Sequence, residues 1–462
     1  MKSPQPNPTI MPSEKHVVVC NFPFSSHPRT LAKLVCKLAA TDPNVRFSFL
    51  STAKSNDSVF PPPSRAALLP SNLRVYDVGD GLPAGYDKVD GDPRAEAESF
   101  LRAAPVNFLA SVDIAVRDAG SKASLLLTDG LVSLVACEMA EKMRVPWVAV
   151  WAGAPYSLSM HVHADLILQL RKNSADEETT LDMIPGLSDM RMTDVPEELL
   201  KAPDMSMIYR MFREVGNVLQ RSAAVVLISY SEFDPELLTA DLKSKFGVLL
   251  HLGCLTPKPP VSDKTGCLTW LDSQGPQTVV YISFGSGTLT NPTPEEITAL
   301  AEALECTQTP FLWSLNDQLK ARCLPGGFEE RTRAHGRIVP WAPQRDVLSH
   351  PACGAFVMQC GYNSVFESVA GGVPMICRPV AVDQMMTARA VEEVWGIGIG
   401  VDRRVITKSG MVKALEVMLR GDKGREMRKK VGEFRQRLLV AAGPEGRAEA
   451  DFKTLAELMS TL

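Results

Sequence analysis

The regular alternation of short apolar runs with longer amphipathic segments limits the fold of this chain more than any other feature. Runs of about four to eight residues rich in Val, Leu and Ile are typical of strands buried on both faces of a parallel sheet. The segments between them, such as residues 30–39 and 132–142, have apolar side chains at helical spacing. This alternation predicts βαβ units around a buried parallel sheet. The supporting runs in the first half are residues 17–19, 124–127, 147–150 and 225–228.

The same alternation begins again at residue 278, so the sequence predicts a second sheet of the same kind. Between the halves, residues 256–265 are rich in Pro and polar side chains, which is typical of a linker between domains. We therefore expect an α/β chain in which two Rossmann-like domains, over residues 1–254 and 267–442, are joined by a linker over 255–266 and followed by a helix within 443–462. The predicted strands of the second half are residues 278–284, 311–314, 337–339, 354–357 and 375–377, with a helix over 294–304.

Composition argues against several classes of partner. With 462 residues, of which 45% are hydrophobic, the chain can bury two cores, and a net charge of −4 gives no positive field for nucleic acid. Residues 1–8 are polar and Pro-rich, without the apolar core of a secretory signal, and we find no run of eighteen apolar residues. The ten cysteines form no CxxC pair, which favours reduced thiols. We therefore expect a cytoplasmic monomer without nucleic acid partners or stable membrane insertion.

Residues 341–384 begin with side chains that suit the nucleoside part of a nucleotide sugar. Trp341 offers a flat face for a nucleobase, although a Trp after a strand is more often a core anchor. The Ala-Pro-Gln sequence behind it favours the stacking role. Gln344 and Glu367 can bind ribose hydroxyls, and Glu367 lies one helical turn after Ser364, so both can face one ligand. A buried Ser-to-Glu face without a ligand is the alternative.

The second part of the same segment suits a pyrophosphate and a sugar. Gly361 opens a tight turn into a predicted helix, whose free N–H groups can hold a pyrophosphate. Asp383 and Gln384 supply paired acceptors and donors for sugar hydroxyls. In chain order, the segment predicts a site for base, ribose, pyrophosphate and hexose. The residues of the turn are Gly361, Tyr362, Asn363 and Ser364.

A glycine-containing turn follows the predicted strand at residues 278–284. Gly285, Ser286 and Gly287 can place backbone N–H groups and a hydroxyl against a β-phosphate. The turn begins like a dinucleotide fingerprint, but position 290 is Thr, and no convincing acidic strand end follows about twenty residues later. The sequence therefore argues against a nicotinamide dinucleotide enzyme.

These motifs resemble the signature box of the plant family 1 UDP-sugar-dependent glycosyltransferases, with the closest likeness to the flavonoid 3-O-glucosyltransferases. The resemblance extends from residues 16–27 through 279–285 to the last predicted helix. It implies a GT-B arrangement of two facing doubly wound domains, with the last helix packed back on the first domain. It also implies metal-independent, inverting transfer of glucose from UDP-glucose to a hydroxyl of a flavonoid-like acceptor, as in flavonol or anthocyanidin 3-O-glucosylation in plant secondary metabolism. UDP-glucose is then a co-substrate, and no cofactor is implied.

The resemblance assigns roles in the first half to residues that follow predicted strands. His27 matches the general base of the family and Asp129 matches the carboxylate that orients it. From position alone, a polar turn role is the commoner one for His27. The pairing is physically sound, because a carboxylate on one ring nitrogen fixes the tautomer and stabilises the imidazolium. The acceptor contacts that the resemblance implies are Phe24, Arg94, Tyr156 and His161.

The resemblance also assigns contacts to the UDP-sugar in both halves. Ser26, beside the expected base, matches a phosphate contact, and Gln359 stands where the family usually has a His that donates to a phosphate. An amide still donates, but it cannot become a cation. The expected UDP-sugar contacts are Ser26, Ser286, Trp341, Ala342, Gln344, Gln359, Gly361, Tyr362, Asn363, Ser364, Glu367, Asp383 and Gln384.

Two motifs resemble metal ligands. Asp90 and Asp92 form a DxD pair, but they lie in an acidic, Gly-rich stretch and are better explained as a solvated turn. His161 and His163 are two residues apart, but nothing in the sequence specifies a third ligand. We therefore expect no metal site.

Departures from the family pattern cluster on the sugar-phosphate side. Besides Gln359, Tyr362 replaces the usual Trp, Ala152 stands where Thr is common, and residues 380–382 replace an aromatic-rich run. Two alternatives to the glucosyltransferase therefore stay open. One is a homologue that uses another UDP-sugar, and the other is a phenolic-binding protein or repurposed enzyme that does not glycosylate. Gln384 favours glucose, because galactosyl enzymes of the family tend to carry His at this position.

Overall fold

The structure consists of two parallel sheets with helices between their strands. The computed structural model describes residues 15–62, 69–83, 86, 93–174, 176–200, 206–253, 263–285 and 291–462. The first sheet contains β1 (His16–Cys20), β2 (Arg46–Ser51), β3 (Leu73–Asp77), β4 (Leu125–Asp129), β5 (Trp147–Trp151), β6 (Ala224–Leu227) and β7 (Leu249–His251). The second sheet contains β8 (Val279–Ser283), β9 (Phe311–Ser314), β10 (Gly336–Val339), β11 (Cys353–Met358), β12 (Met375–Cys377) and β13 (Gly398–Gly400).

Helices connect the strands throughout the described residues. In the first half they are α1 (His27–Thr41), α2 (Ala53–Val59), α3 (Pro93–Ala119), α4 (Ser133–Met143), α5 (Pro155–Val162), α6 (Ala164–Asn173), α7 (Glu197–Leu200), α8 (Met207–Leu219) and α9 (Glu236–Lys245). In the second half they are α10 (Cys267–Asp272), α11 (Pro294–Thr307), α12 (Asp317–Cys323), α13 (Phe328–Thr332), α14 (Gln344–Ser349), α15 (Tyr362–Gly371), α16 (Gln384–Arg389), α17 (Lys408–Leu419) and α18 (Asp422–Ala441), and α19 (Arg447–Thr461) follows. Short 3₁₀ turns lie at Gly130–Val132, Met192–Asp194, Ser231–Phe233 and Asp402–Arg404, and a π turn lies at Ala390–Val394.

Successive side chains of a strand pack into two different cores, one on each face of the sheet, which explains why the strands are apolar throughout. In β1, Val18 packs in the apolar cluster on one face of the sheet, and Val17 and Val19 pack in the cluster on the other. None of the three has exposed surface. A strand that is covered on both faces has no solvent side, so polar residues do not alternate with apolar ones. The predicted pair of Rossmann-like, doubly wound sheets is confirmed.

Each sheet has one point where the strand order reverses. The first sheet has the order β3-β2-β1-β4-β5-β6-β7, so the reversal falls between β1 and β4. The second has the order β10-β9-β8-β11-β12-β13, so the reversal falls between β8 and β11. Ligands of open parallel sheets bind in the crevice at the carboxyl ends of the strands beside such a point. The topology therefore marks the ends of these four strands as the place for a site.

The last helix, α19, belongs structurally to the first sheet although it follows the second in the chain. Phe452, Leu455 and Met459 are buried in the same apolar cluster as Val17 and Val19. The N–H of His251 in β7 donates to Oδ2 of Asp451 at 2.7 Å, which fixes the start of the helix. The predicted boundaries at residues 254, 266 and 442 stay predictions, because residues 254–262 lie outside the described ranges.

Aromatic packing joins the two sheets. Phe233, which follows β6, contacts Phe366 of α15 with ring centroids 5.5 Å apart, and Phe434 of α18 at the same distance. The Nε1–H of Trp395 donates to the Phe233 carbonyl at 3.1 Å. Buried aromatic pairs contribute about 0.5–1.5 kcal/mol each beyond their area burial. The contact therefore holds the two sheets in one arrangement on this side of the cleft.

Helix α3 is long and apolar enough to cross a membrane by length and composition alone. It contains no run of eighteen apolar residues, because charged residues such as Arg102 and Asp113 interrupt its sequence. In the structure, Phe100, Ala104 and Phe108 on one side of the helix are buried in the core of the first sheet. The helix packs against β1, β2 and β3, so this apolar side is covered by the chain itself.

We expect Leu455→Ala to destabilise the first domain by about 2–5 kcal/mol, because the side chain is fully buried and truncation leaves a cavity. Urea unfolding followed by tryptophan fluorescence measures the change. Glu457→Ala, at an exposed position of the same helix, is the control and should change stability by less than about 0.5 kcal/mol. Equal effects of the two substitutions would show that the buried face of α19 does not stabilise the domain.

Candidate active site

His27 and Asp129 meet at the reversal point of the first sheet. His27 is the first residue of α1, preceded by the exposed Ser26 at the helix N-cap, and Asp129 is the last residue of β4. The Nδ1 atom of His27 lies 2.8 Å from Oδ2 of Asp129, while Oδ1 of Asp129 accepts the Leu131 N–H at 2.9 Å. The His27 side chain is 21% exposed, and its Nε2 makes no hydrogen bond within the described residues. The arrangement leaves one ring nitrogen available to take a proton.

Two carboxylates control the protonation of His27. Burial lowers the pKa of the imidazole, but the charge and hydrogen bond of Asp129, together with the charge of Asp383, outweigh burial, so the pKa lies above its ordinary value. Burial raises the pKa of the Asp383 carboxyl, and the Ala154 N–H and His27 offset part of this increase. Asp129 belongs to the first domain and Asp383 to the second. The site therefore stabilises an imidazolium from both sides of the cleft.

Asp383 and Gln384 lie at the start of α16 and face the first sheet. Oδ2 of Asp383 accepts the Ala154 N–H at 3.3 Å, which is a contact between the two domains. A Cβ atom at Gly153 would lie only 2.9 Å from the same oxygen, so glycine is needed there. Oε1 of Gln384 accepts the backbone N–H groups of the 380–381 turn at 3.0 and 3.3 Å. This fixes the orientation of the amide, whose nitrogen remains for a ligand.

Gln344 lies among the side chains expected at the ribose. Its Nε2 donates to Oγ of Ser364 at 3.0 Å and to Oε2 of Glu367 at 2.7 Å. One amide reaches both because they are one turn apart in α15. The hydroxyl of Tyr281 in β8 donates to Oε1 of Gln344 at 3.4 Å. The predicted residues Gln344, Ser364 and Glu367 therefore lie together. Tyr281 also belongs to this group, but it was not predicted because it lies within an apolar strand.

Trp341 projects from the surface and does not anchor the core. It is 54% exposed, although it follows β10 closely, and the neighbouring Ala342 is buried. A core anchor at this position would be covered by neighbouring side chains. The exposed indole favours the nucleobase platform, which stays a prediction.

Gln359 lies between the glycine turns that follow β8 and β11. It is 8% exposed, and its Nε2 lies 2.5 Å from the place that a Cβ of Gly285 would occupy and 3.3 Å from the same place at Gly361. Gly285 also has φ = 80°, so the turn needs glycine on both counts. Oε1 of Gln359 is buried without a hydrogen-bond partner within the described chain. The amide thus lies beside the turn where a phosphate is expected; Ser286 itself belongs to residues 286–290, outside the described ranges.

Helix α15 begins directly after Gly361, and no side chain caps its N-terminus. Its first N–H groups therefore have the arrangement that an anion site requires. Asn363 reaches the first domain, where its Nδ2 donates to Oγ1 of Thr30 at 3.2 Å. The ring of Tyr362 does not line the cleft, because the residue is 4% exposed and packs edge-on against Phe366 with centroids 5.0 Å apart. Its ring fills the core under the turn. The predicted contact of Tyr362 with the UDP-sugar stays a prediction for its backbone N–H, at the start of α15.

Aromatic side chains surround the His27 side of the cleft. The ring of Phe22 contacts His27 edge-on with centroids 5.4 Å apart. Phe24 is only partly buried and packs against Phe22 at 5.0 Å and Phe100 at 5.8 Å. Arg94, at the start of α3, is 50% exposed and forms a 2.7 Å ion pair with Glu198. The structure therefore brings Phe24 close to His27, as an acceptor contact requires.

Tyr156 and His161 do not lie on the surface of the cleft. Nδ1 of His161 lies 2.7 Å from the Phe212 carbonyl, and the imidazole packs against the rings of Trp151 and Phe212. Burial lowers the pKa of His161 to about 4, so it is a neutral core residue near pH 7. Tyr156 is 1% exposed. Neither covered side chain supports the expected acceptor contact, which stays a prediction for both residues.

The weak metal motifs find no support in the described residues. Within the described ranges, no group of three His, Cys, Asp or Glu side chains is placed to hold a metal ion. Nε2 of His163 is instead paired with Oδ2 of Asp241 at 2.8 Å. Asp90 and Asp92 lie in residues 87–92, outside the described ranges.

Comparison with known proteins gives the family. Residues 121–431 match the family described as UDP-glucoronosyl and UDP-glucosyl transferase. The chain belongs to this family. It is therefore a UDP-glycosyltransferase, and the resemblance found in the sequence is confirmed.

Relatives of this UDP-glycosyltransferase match it over nearly its whole length. It is 43% identical to anthocyanidin 3-O-glucosyltransferase 1 of Fragaria ananassa, over 96% of this chain and 98% of that protein. It is 42% identical to a flavonol 3-O-glucosyltransferase of Actinidia chinensis var. chinensis, over 96% and 97%. A crystal structure of UDP-glucose: anthocyanidin 3-O-glucosyltransferase in complex with UDP has a TM-score of 0.92 at 38% identity, covering 98% of this chain and 100% of that one. The GT-B arrangement is thereby confirmed.

Several members of the site are backbone groups or residues without a motif. The Ala154 N–H holds Asp383, and Thr30 holds Asn363. Each contact joins the two domains of the UDP-glycosyltransferase, so its partners are more than 200 positions apart in the chain. No local sequence pattern predicts such pairs. The only hint is weak: Thr30 is a polar residue among the apolar ones of its helix.

We expect Asp129→Asn to lower the pKa of His27 below its ordinary value, because it removes the main group that raises this pKa and leaves the effect of burial. Asp383→Asn should lower it by a smaller amount. Titration of the histidine ring signals by NMR measures both changes, with His27→Ala to assign the signal. Asp241→Asn, beside His163, is the control and should leave the His27 titration unchanged. A His27 pKa that is the same in Asp129→Asn and wild type would contradict this account.

We expect Gln359→His to tighten UDP binding by about tenfold at pH 6, because an imidazolium makes a charge-assisted hydrogen bond to phosphate where the amide makes a neutral one. The gain should shrink at pH 8, where the imidazole is neutral. Calorimetric titration with UDP measures it. Gln359→Asn is the control, since a shorter neutral amide should give no gain. Unchanged UDP affinity in Gln359→His at both pH values would show that residue 359 does not face the phosphate.

Proposed function

We propose that this UDP-glycosyltransferase transfers glucose from UDP-glucose to a hydroxyl of a flavonoid-like acceptor, with 3-O-glucosylation of a flavonol or anthocyanidin as the reaction. The observation that carries the proposal is the 2.8 Å pair of His27 and Asp129 at the reversal point, with Asp383 of the second domain close enough to raise the His27 pKa. The relatives that are named for anthocyanidin and flavonol 3-O-glucosylation support the choice of donor and acceptor.

In this reaction, Nε2 of His27 takes the proton of the acceptor hydroxyl while the oxygen attacks the anomeric carbon of glucose. The bond from that carbon to the β-phosphate oxygen breaks, and UDP leaves with the bonding electrons. Attack from the face opposite UDP inverts the configuration at the anomeric carbon. Asp129 stabilises the imidazolium that forms, and a base of this kind contributes about 10²–10⁴-fold to the rate.

The second domain supplies groups for each part of the donor. Trp341 stacks on the uracil, and Gln344 with Glu367 binds the ribose. The uncapped N-terminus of α15 and the Gln359 amide receive the negative charge that develops on UDP, with Ser286 and Ser26 as further phosphate contacts. Because protein donors cover this charge, we propose a metal-independent reaction. Asp383 and Gln384 bind the sugar hydroxyls.

The first domain supplies the acceptor surface. Phe22 and the partly exposed Phe24 lie beside His27 and offer flat apolar faces for an aromatic ligand. A phenol has a pKa of about 10. An imidazole whose pKa is raised can therefore take its proton as the bond from the phenol oxygen to the sugar forms. Arg94, held by Glu198, lies at the start of α3 and provides a polar contact at the rim. These features fit a flavonoid-like acceptor.

We propose that the enzyme acts as a monomer in the cytoplasm. Within the described residues the nine cysteines are free thiols, and most are buried, as expected of a protein from a reducing compartment. A monomer is sufficient because the two domains of one chain supply the base, its carboxylate and the donor-binding groups.

The test of the proposal is incubation with UDP-glucose and a panel of flavonols and anthocyanidins, with product mass as the readout. We expect a mass increase of one hexose and β-linked product from α-linked donor. Transfer of a different sugar from another UDP donor would favour the homologue with an altered donor site. No sugar adduct with any donor would overturn the proposal and favour a phenolic-binding or repurposed protein.

We expect His27→Ala to lower kcat by at least about 10²-fold while leaving the Kd for UDP within about twofold. The base acts on the acceptor proton, and apart from the Ser26 contact UDP is held by groups of the second domain. Product formation and calorimetric UDP titration measure the two quantities on the same sample. His350→Ala, at a histidine that pairs with the exposed Asp272, is the control and should leave kcat unchanged. Equal losses of turnover and UDP binding in His27→Ala would indicate a structural role for His27.

A further inference from the structure

A buried carboxylate of the first domain holds two arginines of the second. Asp194 lies in the 3₁₀ turn Met192–Asp194, and its side chain is 1% exposed. Its Oδ2 accepts Nε of Arg389 at 3.0 Å, and its Oδ1 accepts Nη2 of Arg404 at 2.6 Å. Nη1 of Arg404 also donates to the Thr193 carbonyl at 2.6 Å. Charge-assisted bonds of this length from partly buried arginines to a buried carboxylate fix geometry more firmly than exposed ion pairs do.

Arg389 connects this cluster to the donor-sugar residues. It is the last residue of α16, whose first residue is Gln384 and whose N-cap is Asp383. The opposite end of the helix is attached to the first domain as well, because Oδ2 of Asp383 accepts the Ala154 N–H at 3.3 Å. One short helix is therefore fastened to the first domain at both ends, about 9 Å apart at 1.5 Å per residue.

The residue before Asp383 has a strained backbone. Val382 has φ = 58°, in the left-handed region that a β-branched side chain rarely adopts. It is 38% exposed, so packing of its own side chain does not account for this conformation. Strained residues persist where the surrounding structure determines them, and they cluster at ligand sites. The two attachments of α16 to the first domain hold the turn at residues 380–383 in this strained conformation.

We infer that Asp194 is a positioning residue for the donor sugar: through Arg389 and Arg404 it holds α16, and with it Asp383 and Gln384, at the correct place beside His27. The inference rests on the proposed function, since it takes the sugar to be the ligand of Asp383 and Gln384. Asp194 does not touch the reacting atoms in this arrangement. It acts by setting the distance between a helix of the second domain and the base of the first.

The nucleotide part of the donor is held by other elements. Trp341 follows β10, Gln344 begins α14, and Glu367 lies in α15. Loosening α16 should therefore affect the sugar and leave the uridine and ribose contacts in place. A loss of turnover without a loss of UDP affinity therefore distinguishes this effect from general destabilisation, which lowers both.

The test is Asp194→Asn, which keeps the shape of the side chain and removes the charge that pairs with both arginines. We expect kcat with saturating UDP-glucose and a flavonol to fall by about 10- to 100-fold, because small misplacements of positioning groups have effects of this size. The Kd for UDP should stay within about twofold of wild type. The ratio of kcat/KM for UDP-glucose to that for UDP-galactose, which differs only at one hydroxyl, should move toward one.

Asp241→Asn is the matched control, since Asp241 is also a mostly buried carboxylate in an ion pair, but with His163 of its own domain. It should leave kcat, UDP affinity and donor preference unchanged. Arg389→Met is the second variant, because it keeps the apolar stem and breaks the cluster from the other domain. It should reproduce the fall in kcat, and the double variant Asp194→Asn/Arg389→Met should lose little more than either single one.

The outcomes separate this inference from the proposed function. Wild-type kcat and donor preference in Asp194→Asn would overturn the inference while glucosyl transfer by the wild type still stands. Parallel loss of kcat and UDP affinity would also overturn it, since it would show a general structural role. Absence of transfer by the wild-type protein would instead overturn the proposed function.

Discussion

The site depends on two pairs of neighbouring parallel strands. In each pair, the chain segments that follow the two strands turn to opposite faces of the sheet. In the first sheet this occurs between β1 and β4, and in the second between β8 and β11. The carboxyl ends of the paired strands then border a crevice that neither set of helices fills. His27 and Asp129 border the first crevice, and Gly285 and Gln359 border the second. Backbone pairing thus places four residues that lie far apart in the chain.

The electrostatic character of the cleft comes from both domains. Asp129 and Asp383 act on the same imidazole, and their effect exceeds that of its burial. The donor side has no comparable cation at position 359, where a neutral amide lies beside the glycine turn. In the proposed reaction, the base is therefore supported strongly and the leaving group more weakly. We expect cleavage of the sugar-phosphate bond to contribute more to the barrier than removal of the acceptor proton.

The sequence predicted the strands whose residues are apolar on both faces. The runs at residues 311–314 and 375–377 match β9 and β12, and others are within two residues. Three strands of the first sheet were not predicted. Ser residues interrupt β2, and β3 and β7 lie at the two edges, where polar residues such as Arg74 and His251 are tolerated. In the second sheet, β13 was not predicted, because its Gly-Ile-Gly sequence has little strand propensity.

The chemistry of the site was predictable, but the burial of individual side chains was not. Residue types in chain order predicted a base, its carboxylate and groups for each part of the donor, and the structure brings His27 to Asp129 and Gln344 to Glu367. Tyr362 and His161 have the right chemistry and chain position, yet the fold covers them, because neighbouring aromatic rings pack over them. Contacts between domains, such as Asn363 with Thr30, depend on the relative placement of two sheets, which no local pattern encodes.

The return of α19 to the first sheet has a consequence for the order of folding. Phe452, Leu455 and Met459 complete a core that also contains Val17 and Val19, so this core cannot close until the ribosome has released the last helix. The second domain, by contrast, has all its strands and most of its helices synthesised earlier. During synthesis it can therefore become native before the domain that precedes it in the chain.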